Sequence, residues 1–589
     1  MPGAWQAQGF GKATPRLRHD FAGSGWYRRT IEVPADWRDK TIVLRIGGAH
    51  RITTVFVNGA EVGSYDGISA PFTFDISRAV RPGSSNVIVL RIENPPVEIE
   101  EGPETQKAVQ PTGMINYLGN WGGIAGAVTL EAVPRTHVKN VLVLPDVERR
   151  ATIPQGFRAG GAVAGIKASG RPDLAIVATL PGAAPASAAA VFTPNAFAAA
   201  PVRLSREHLK QSSGGRSSAF GLAEAVVSTS GSANAATGAA GDADQAEVAG
   251  FLAGALGIAR ERTLLLSTGV IGTRLPLDKV ATGIDALAGR LAPTDDALAA
   301  AAEALRTTDT RTKAATVTIT LPDPDGLAVR RVRVTGIAKG VGMIHPRMAT
   351  MLAVVLTDAT IEPAALHGLL RPATARTWDQ LSVDGDTSTN DTVFLLASGA
   401  AGAMSLKARS REARELGYAI EAVARELARQ QAADGEGATT LVTCQVSGAA
   451  DDADARAVAR AVVSSSLVKA AVHGRDPNWG RIAGAAGNAR LADAPVLEAA
   501  GLSTDDAARR GGTPAALDPD RLRIAIAGHL VFSGGHGGPV AFDRAAARSA
   551  MDAPELLIRL DLGLGEGTGE AFGCDLTEEY VVENSEYTT

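Results

Sequence analysis

Lys339-Gly340-Val341-Gly342-Met343-Ile344-His345-Pro346-Arg347-Met348-Ala349-Thr350-Met351-Leu352 is the stretch on which the reading of this chain turns. Its two glycines and its proline predict a lysine turn followed by a loop. Ala349-Thr350 then leads into Met351–Leu356, a continuous apolar run short enough for a strand buried on both faces. On local grounds alone Thr350 is a β-former at the mouth of that strand, and His345 beside Pro346 is a polar loop residue.

Outward from this stretch, strand and helix signals alternate. Val317, Ile319 and Leu321 alternate as in a half-buried strand. Val248, Phe251, Leu252, Ala255 and Leu256 recur at helical spacing, as do Leu416, Ile420, Val423 and Leu427. Thr389-Asn390-Asp391 and Asp476-Pro477-Asn478 mark turns, and Ser212–Ser217 and Ala449–Asp454 read as surface connections. The pattern predicts an α/β region from about residue 150 to the end.

The first part of the chain differs. Of the 26 aromatic residues, 12 precede residue 136, Trp5, Trp26, Trp37 and Trp121 among them. Short alternating runs, Trp26–Val33, Thr41–Ile46, Thr53–Val57 and Asn86–Ile92, are separated by Asn58-Gly59, Asp66-Gly67 and Pro82-Gly83. Strands at such spacing predict an all-β sandwich or jelly roll over residues 1–145.

The bulk properties exclude several classes. A formal charge of −5 over 589 residues gives no general electrostatic reason to bind nucleic acid or an anionic membrane. Cys444 and Cys574 are the only cysteines, too few for a disulfide framework and outside any metal-ligand spacing. Met1–Arg18 lacks the apolar run of a signal peptide. No stretch reaches the ~18 apolar residues of a membrane span. A soluble cytoplasmic protein is expected. The nine histidines show no zinc-binding spacing, and Walker, dinucleotide-binding and GxSxG words are missing. No metal or organic cofactor is implied.

Several words recur in an order that carries more than any of them alone. They are Asn234-Ala235-Ala236-Thr237-Gly238, Ser267-Thr268-Gly269-Val270-Ile271-Gly272, Thr307-Thr308-Asp309-Thr310, Lys339–Leu352, Val383–Thr392, Gly474–Arg481 and the ending Asn584-Ser585-Glu586-Tyr587-Thr588-Thr589. In this order they resemble the glutamate/ornithine N-acetyltransferase family of arginine biosynthesis over ~435 residues. The resemblance implies an α/β/β/α sandwich convergent with N-terminal-nucleophile hydrolases. It implies cleavage between Ala349 and Thr350 into an alpha chain, 151–349, and a beta chain, 350–589, paired into a heterotetramer. It further implies ping-pong transfer of acetyl from N-acetylornithine to glutamate through acetyl-Thr350. Thr268 and Gly269 would stabilise the oxyanion. Thr307, Lys339, Thr350, Glu436, Asn584 and Thr589 would contact substrate, Lys339 at a carboxylate and Glu436 at an amine. Whether acetyl-CoA is a second donor is left open.

The residue types suit this chemistry. A threonine hydroxyl is a weak nucleophile that needs a nearby base. Cleavage before Thr350 would create an α-amine on the same residue, titrating at about 7.7–8.0. Attack on a carbonyl builds an oxyanion that needs fixed donors.

The N-terminal words resemble the sugar-binding domain of glycoside hydrolase family 2 over residues ~5–145. They include Gly25-Trp26-Tyr27-Arg28-Arg29, Phe56-Val57-Asn58-Gly59, Pro71-Phe72-Thr73-Phe74-Asp75-Ile76 and Trp121-Gly122-Gly123-Ile124. Ala125-Gly126 follows where that family has Tyr-Arg. Catalysis there needs two carboxylates on a following barrel, and nothing after residue 150 resembles one. The domain is read as a passenger fused to the transferase. The alternative is a carbohydrate-binding or glycosidase-related protein carrying an inactive transferase.

Overall fold

The computed structural model describes residues 23–50, 52–66, 72–94, 127–135, 147–345 and 351–586, with the short strands Gly3–Ala4, Ile99–Glu100, Lys107–Ala108 and Gly123–Ile124. Ala349, Thr350 and Thr589 lie outside the described residues, as do Trp5 and Trp121. The chain divides into two units, Met1–Val143 and Leu144–Thr589.

In the first unit the expected strands appear as Gly23–Val33, Lys40–Ile46, Ile52–Val57 and Ser84–Asn94. One antiparallel sheet runs Gly23–Val33, Ser84–Asn94, Ile52–Val57, Ala60–Asp66, and a second runs Val128–Pro134, Lys40–Ile46, Phe72–Asp75. Their alternating Val, Ile and Leu residues share one core, with Ile46, Val55, Val57 and Ile92 fully buried. Asn58-Gly59 makes a two-residue hairpin because both residues adopt positive φ, +52° and +87°, which matches the twist of the flanking strands. The Asn58 side chain then accepts from the Val87 N–H at 2.9 Å and donates to Ala79 O and Asn86 Oδ1.

The second unit is built on three sheets. Phe157–Ala162, Leu174–Thr179, Ala225–Ser232 and Thr263–Val270 form a four-stranded sheet. A six-stranded sheet has the order Phe220–Ala223, Ala186–Phe192, Thr392–Ala397, Leu352–Thr357, Val329–Lys339, Lys313–Pro322. The inner faces of these two sheets meet in one core: Ala175, Val177, Val226, Leu264 and Leu266 from the first, Ala188, Ala190, Leu352, Val354 and Leu396 from the second. On the outer face of the four-stranded sheet pack helices Gly238–Leu256 and Leu277–Ala288. On the outer face of the six-stranded sheet pack Pro363–Arg376 and Arg411–Ala432. A third sheet of seven strands, centred on Leu441–Ala449 and Glu555–Asp561, has its own core against helix Asp452–Ser464.

The run after Thr350 forms the strand Leu352–Thr357, buried throughout. Leu352, Val354 and Leu356 enter the inter-sheet core, while Ala353 and Val355 face the outer helices. A continuous apolar run is what a strand covered on both faces requires. Each such Val or Leu contributes on the order of 1.5–3 kcal/mol. Leu416, Ile420, Val423 and Leu427 are fully buried on Arg411–Ala432, whose N-cap Ser410 accepts from the Ala413 N–H.

Two sequence readings are corrected. On Gly238–Leu256, Val248 and Leu252 are buried and Phe251 and Leu256 pack half-buried against the same core, as read, but Ala255 is exposed while Ala249 and Ala253 are buried. Small alanines fit a close approach to the sheet and widen the packed face on one side. Ala449–Asp454 is not a surface connection. Asp451 caps the helix that follows, accepting from the Ala453 and Asp454 N–H groups, and Asp454 is buried.

Residues 147–150 belong with the second unit. Glu148 exchanges backbone hydrogen bonds with Thr316 (2.9 and 2.8 Å), Thr316 Oγ1 donates to Arg150 O at 2.7 Å, and Arg149 pairs with Glu426. A chain shortened to begin at Leu144 is therefore expected to fold. One beginning at Ala151 should lose about 1–3 kcal/mol with these bonds. Thermal unfolding of the two shortened chains checks this. An insoluble Leu144 chain would show that the first unit is a structural part of the second.

Candidate functional site

A cavity of about 460 Å³ opens in the second unit, in the size range of a small-molecule site. Segments far apart in sequence converge on it. Thr268 and Gly269 sit at the end of Thr263–Val270. Thr307 and Thr308 follow helix Asp295–Leu305, and Lys339 ends strand Val329–Lys339. Asn390 precedes Thr392–Ala397, Glu436 follows Arg411–Ala432, and Asn584 lies on Glu578–Glu586. Of the residues expected to contact substrate, Thr307, Lys339, Glu436 and Asn584 thus meet at one cavity, together with Thr268 and Gly269.

Gly269 is required by backbone geometry. Its φ is +129°, and a Cβ there would lie 2.4 Å from the Gly231 carbonyl carbon and 2.7 Å from the Ser232 nitrogen. The parallel strands Ala225–Ser232 and Thr263–Val270 approach at their ends more closely than any side chain permits. Asn390, just before the interior strand Thr392–Ala397 of the other sheet, ties the two together here, donating from Nδ2 to Ala233 O at 2.7 Å and Ser267 O at 2.8 Å.

Lys339 is 4% exposed. Its Nζ donates to Thr307 Oγ1 at 2.6 Å and to Thr268 Oγ1 at 3.2 Å, and lies 3.9 Å from Asp309 Oδ2. Burial pushes its pKa down, and Asp309 opposes that shift. Asp309 is also buried. Burial opposes its charge, but Lys339, Lys313 and the Gly340 N–H together outweigh burial and hold its carboxyl well below the usual carboxylate range. Lys313, fully buried, bridges Asp309 Oδ1 and Asp434 Oδ2 at 2.6 Å each.

Glu436 faces Lys339 across the cavity with both oxygens engaged. Thr308 Oγ1 donates to Oε1 at 2.8 Å and Asn584 Nδ2 to Oε2 at 3.0 Å. Its own N–H donates to Val341 O at 2.9 Å. Gly342 leaves room for this carboxylate, since a Cβ at 342 would lie 2.1 Å from Oε2.

Met351, the residue after Thr350, is buried, and its N–H donates to Asp391 Oδ1 at 3.0 Å. Burial pushes the Asp391 carboxyl well above its usual range, against the pull of the Met351 N–H and Lys339. His345 bonds Ser382 Oγ at 3.0 Å and is not among the residues lining the cavity. Sequence reasoning missed Asp309, Lys313, Asp434, Asn390 and Asp391 as site-building residues. Asp309, Asn390 and Asp391 lie inside words already singled out, Thr307–Thr310 and Val383–Thr392, which was their one available signal.

A buried ammonium, two threonine hydroxyls and a hydrogen-bonded carboxylate around one cavity make a site suited to a small, polar, charged molecule. The chain belongs to the ArgJ family, whose model matches residues 158–589. It is 41% identical over 452 residues to the arginine biosynthesis bifunctional protein ArgJ of Synechocystis sp., covering 75% of this chain and 98% of that one. It is 42% identical over 437 residues to the protein of the same name from Thermus thermophilus, covering 74% and 99%. Among solved structures, the ornithine acetyltransferase of Mycobacterium tuberculosis complexed with ornithine matches at 34% identity and a TM-score of 0.29, over 34% of this chain and 97% of that one. Residues 2–102 match the glycosyl hydrolases family 2 sugar binding domain. Among the described residues, no helix is long and apolar enough to cross a membrane.

Proposed function

We propose that this chain is an acetyltransferase of arginine biosynthesis, moving an acetyl group from N-acetylornithine to glutamate through Thr350. The observation that carries the proposal is the meeting of Thr268, Lys339 and Glu436 at one cavity, in a chain about 41% identical to ArgJ relatives along nearly their whole length.

Maturation comes first. Thr350 Oγ attacks the Ala349 carbonyl carbon, a C–O bond forms, and the peptide C–N bond breaks. The hydroxyl proton passes to the departing nitrogen, and water then hydrolyses the resulting ester. The freed α-amine serves as base for the same hydroxyl, so cleavage and base creation are one event. In turnover, Thr350 Oγ takes the acetyl group and ornithine leaves with its amine restored. The α-amine of glutamate attacks the acetyl-threonine ester, N-acetylglutamate leaves, and the hydroxyl is regenerated. Each attack builds an oxyanion, for which the Thr268 hydroxyl and the Gly269 N–H are the assigned donors.

Lys339 supplies the positive charge suited to carboxylate-bearing substrates, and the Glu436 carboxylate, held by Thr308 and Asn584, suits an amine. Thr307 and the terminal Thr589 complete the assigned contacts. The mature enzyme would be a cytoplasmic heterotetramer of alpha and beta chains, residues 151–349 and 350–589, with residues 1–145 a passenger.

Incubation of the purified chain with N-acetylornithine and glutamate tests the reading. N-acetylglutamate and ornithine should form in equal amounts and in a ping-pong pattern. Acetate released without N-acetylglutamate would make it a hydrolase instead. Replacing N-acetylornithine by acetyl-CoA in the same assay decides the second donor.

A further inference from the structure

Val383–Thr392 grips the chain on both sides of the Ala349–Thr350 bond. Upstream, Asp384 Oδ1 accepts from the Ile344 N–H at 2.8 Å, and its Oδ2 accepts from the Met343 N–H. The Val383 N–H donates to Ile344 O at 2.7 Å, and Thr387 Oγ1 donates to His345 O at 2.9 Å. Met343 has a φ of +55°, a left-handed conformation uncommon for a residue with a side chain. The Asp384 carboxylate holds it there by engaging two successive N–H groups. Downstream, Asp391 Oδ1 accepts from the Met351 N–H at 3.0 Å, and the Thr392 N–H donates to Met351 O at 3.0 Å. The Met351 N–H lies in the plane of the peptide that joins it to Thr350, so fixing it fixes that link.

The same stretch is tied to the strand end that carries Thr268 and Gly269. Asn390, next to Asp391, donates to Ser267 O, one residue before Thr268. The Thr193 N–H donates to Asp391 O at 2.9 Å, and Thr193 Oγ1 donates to Ser388 O at 2.7 Å. Asn390 and Asp391 are both buried. Two adjacent residues therefore connect the neighbour of the proposed nucleophile to the neighbour of the proposed oxyanion donor. A turn carboxylate that accepts from a nearby N–H is ordinary. A stretch that holds both sides of one bond, and is also tied to the donors for its oxyanion, sets their mutual geometry.

We propose that Asp384 and Asp391 are positioning residues for the chain around Ala349–Thr350, Asp384 for the cut alone and Asp391 for both the cut and acetyl transfer. This rests on the reading of Thr350 as a self-cleaving nucleophile. The division follows from what the cut separates. Met343 and Ile344 stay with the upstream chain, whereas Met351 stays with Thr350. After the cut, the grip of Asp384 no longer bears on the nucleophile, and that of Asp391 still does.

Cell-free translation of the full chain, followed by intact mass over time, gives the cutting rate. Acetyl transfer per cut chain gives kcat. If the wild-type chain is not cut before Thr350, the self-cleavage reading fails, and no variant is needed to show it. Given a wild type that cuts, Asp384→Ala should cut about 10–10²-fold more slowly, the cost of a misplaced reacting group, while kcat per cut chain falls no more than about threefold. Cutting at the wild-type rate, or an equal loss in kcat, would overturn the role of Asp384.

Asp391→Ala should slow cutting and kcat alike, each by about 10–10²-fold. Asp391→Asn keeps an acceptor oxygen for the Met351 N–H and should recover most of both rates. An asparagine variant as slow as the alanine one would show that the grip on Met351 is not what matters, and would overturn the role of Asp391. Should either alanine variant fail to fold, two others carry the test. Asp384→Asn has one acceptor oxygen instead of two, and Asp391→Glu displaces its oxygens by one methylene. Both should still cut slowly, and cutting at the wild-type rate in them would overturn the proposal.

Discussion

Replacing Thr350 by Ala is expected to leave one uncut chain without transferase activity. The proposed cleavage and the proposed acetyl transfer use the same oxygen atom, and alanine removes it. No other hydroxyl can inherit the proposed role easily, because the proposed base is the α-amine of the same residue, which would exist only after the cut. The chain on the far side of Thr350 is firmly placed. Met351 is anchored to Asp391, and the next six residues form a strand buried on both faces. The substitution should therefore leave folding intact, and a melting temperature near that of the uncut wild-type chain is expected. Intact mass and an acetyl-transfer assay on the same sample read both outcomes. Thr350→Ser, which keeps a hydroxyl, should still be cut. A cleaved and fully active Thr350→Ala protein would remove Thr350 from the mechanism altogether.

Thr268→Ala should slow both cleavage and turnover by about 10²–10³, or about 2.7–4 kcal/mol of transition-state stabilisation, as for other lost oxyanion donors. Two effects combine here. The hydroxyl donor disappears from the cavity, and Lys339 Nζ loses the acceptor it meets at 3.2 Å. Thr268→Ser keeps the oxygen and should recover most of the rate. The neighbouring Gly269 would contribute through its backbone, held by the close approach to Gly231, and the alanine variant at 268 leaves that approach untouched. Because the loss falls on the transition state, kcat should drop with KM nearly constant. Unchanged kinetics in Thr268→Ala would show that the oxyanion is held elsewhere.

Much of the scaffold was legible from residue order. The apolar run after Thr350 could be a strand only if covered on both sides, and it is. Helix Arg411–Ala432 follows from the spacing of four large residues and a serine cap. Asn58-Gly59 dictates its hairpin, since few other pairs accept two positive φ angles. The reading failed where small residues define a face, as at Ala249 and Ala253, because an alanine's burial depends on how near the neighbouring sheet comes. It failed again at Asp451 and Asp454, where a polar, acidic stretch looks solvated until the helix it caps is seen.

The site divides in the same way. The ordered words singled out Thr268, Gly269, Thr307, Lys339, Glu436 and Asn584, and these six line one cavity. Local sequence carries such words because each contains the glycine or turn residue that its backbone demands. What each charged residue does was decided only by the tertiary structure. Lys313 sits on a strand whose pattern gives no hint that its ammonium is fully buried between two carboxylates. Lys339 is buried with its ammonium against Thr307 and Thr268, and Asp309 holds Lys313 and the Gly340 N–H, contacts that no local pattern announces. A charge carries its sign in the sequence, but its partner, its burial and the direction it points arise only when distant segments are brought together.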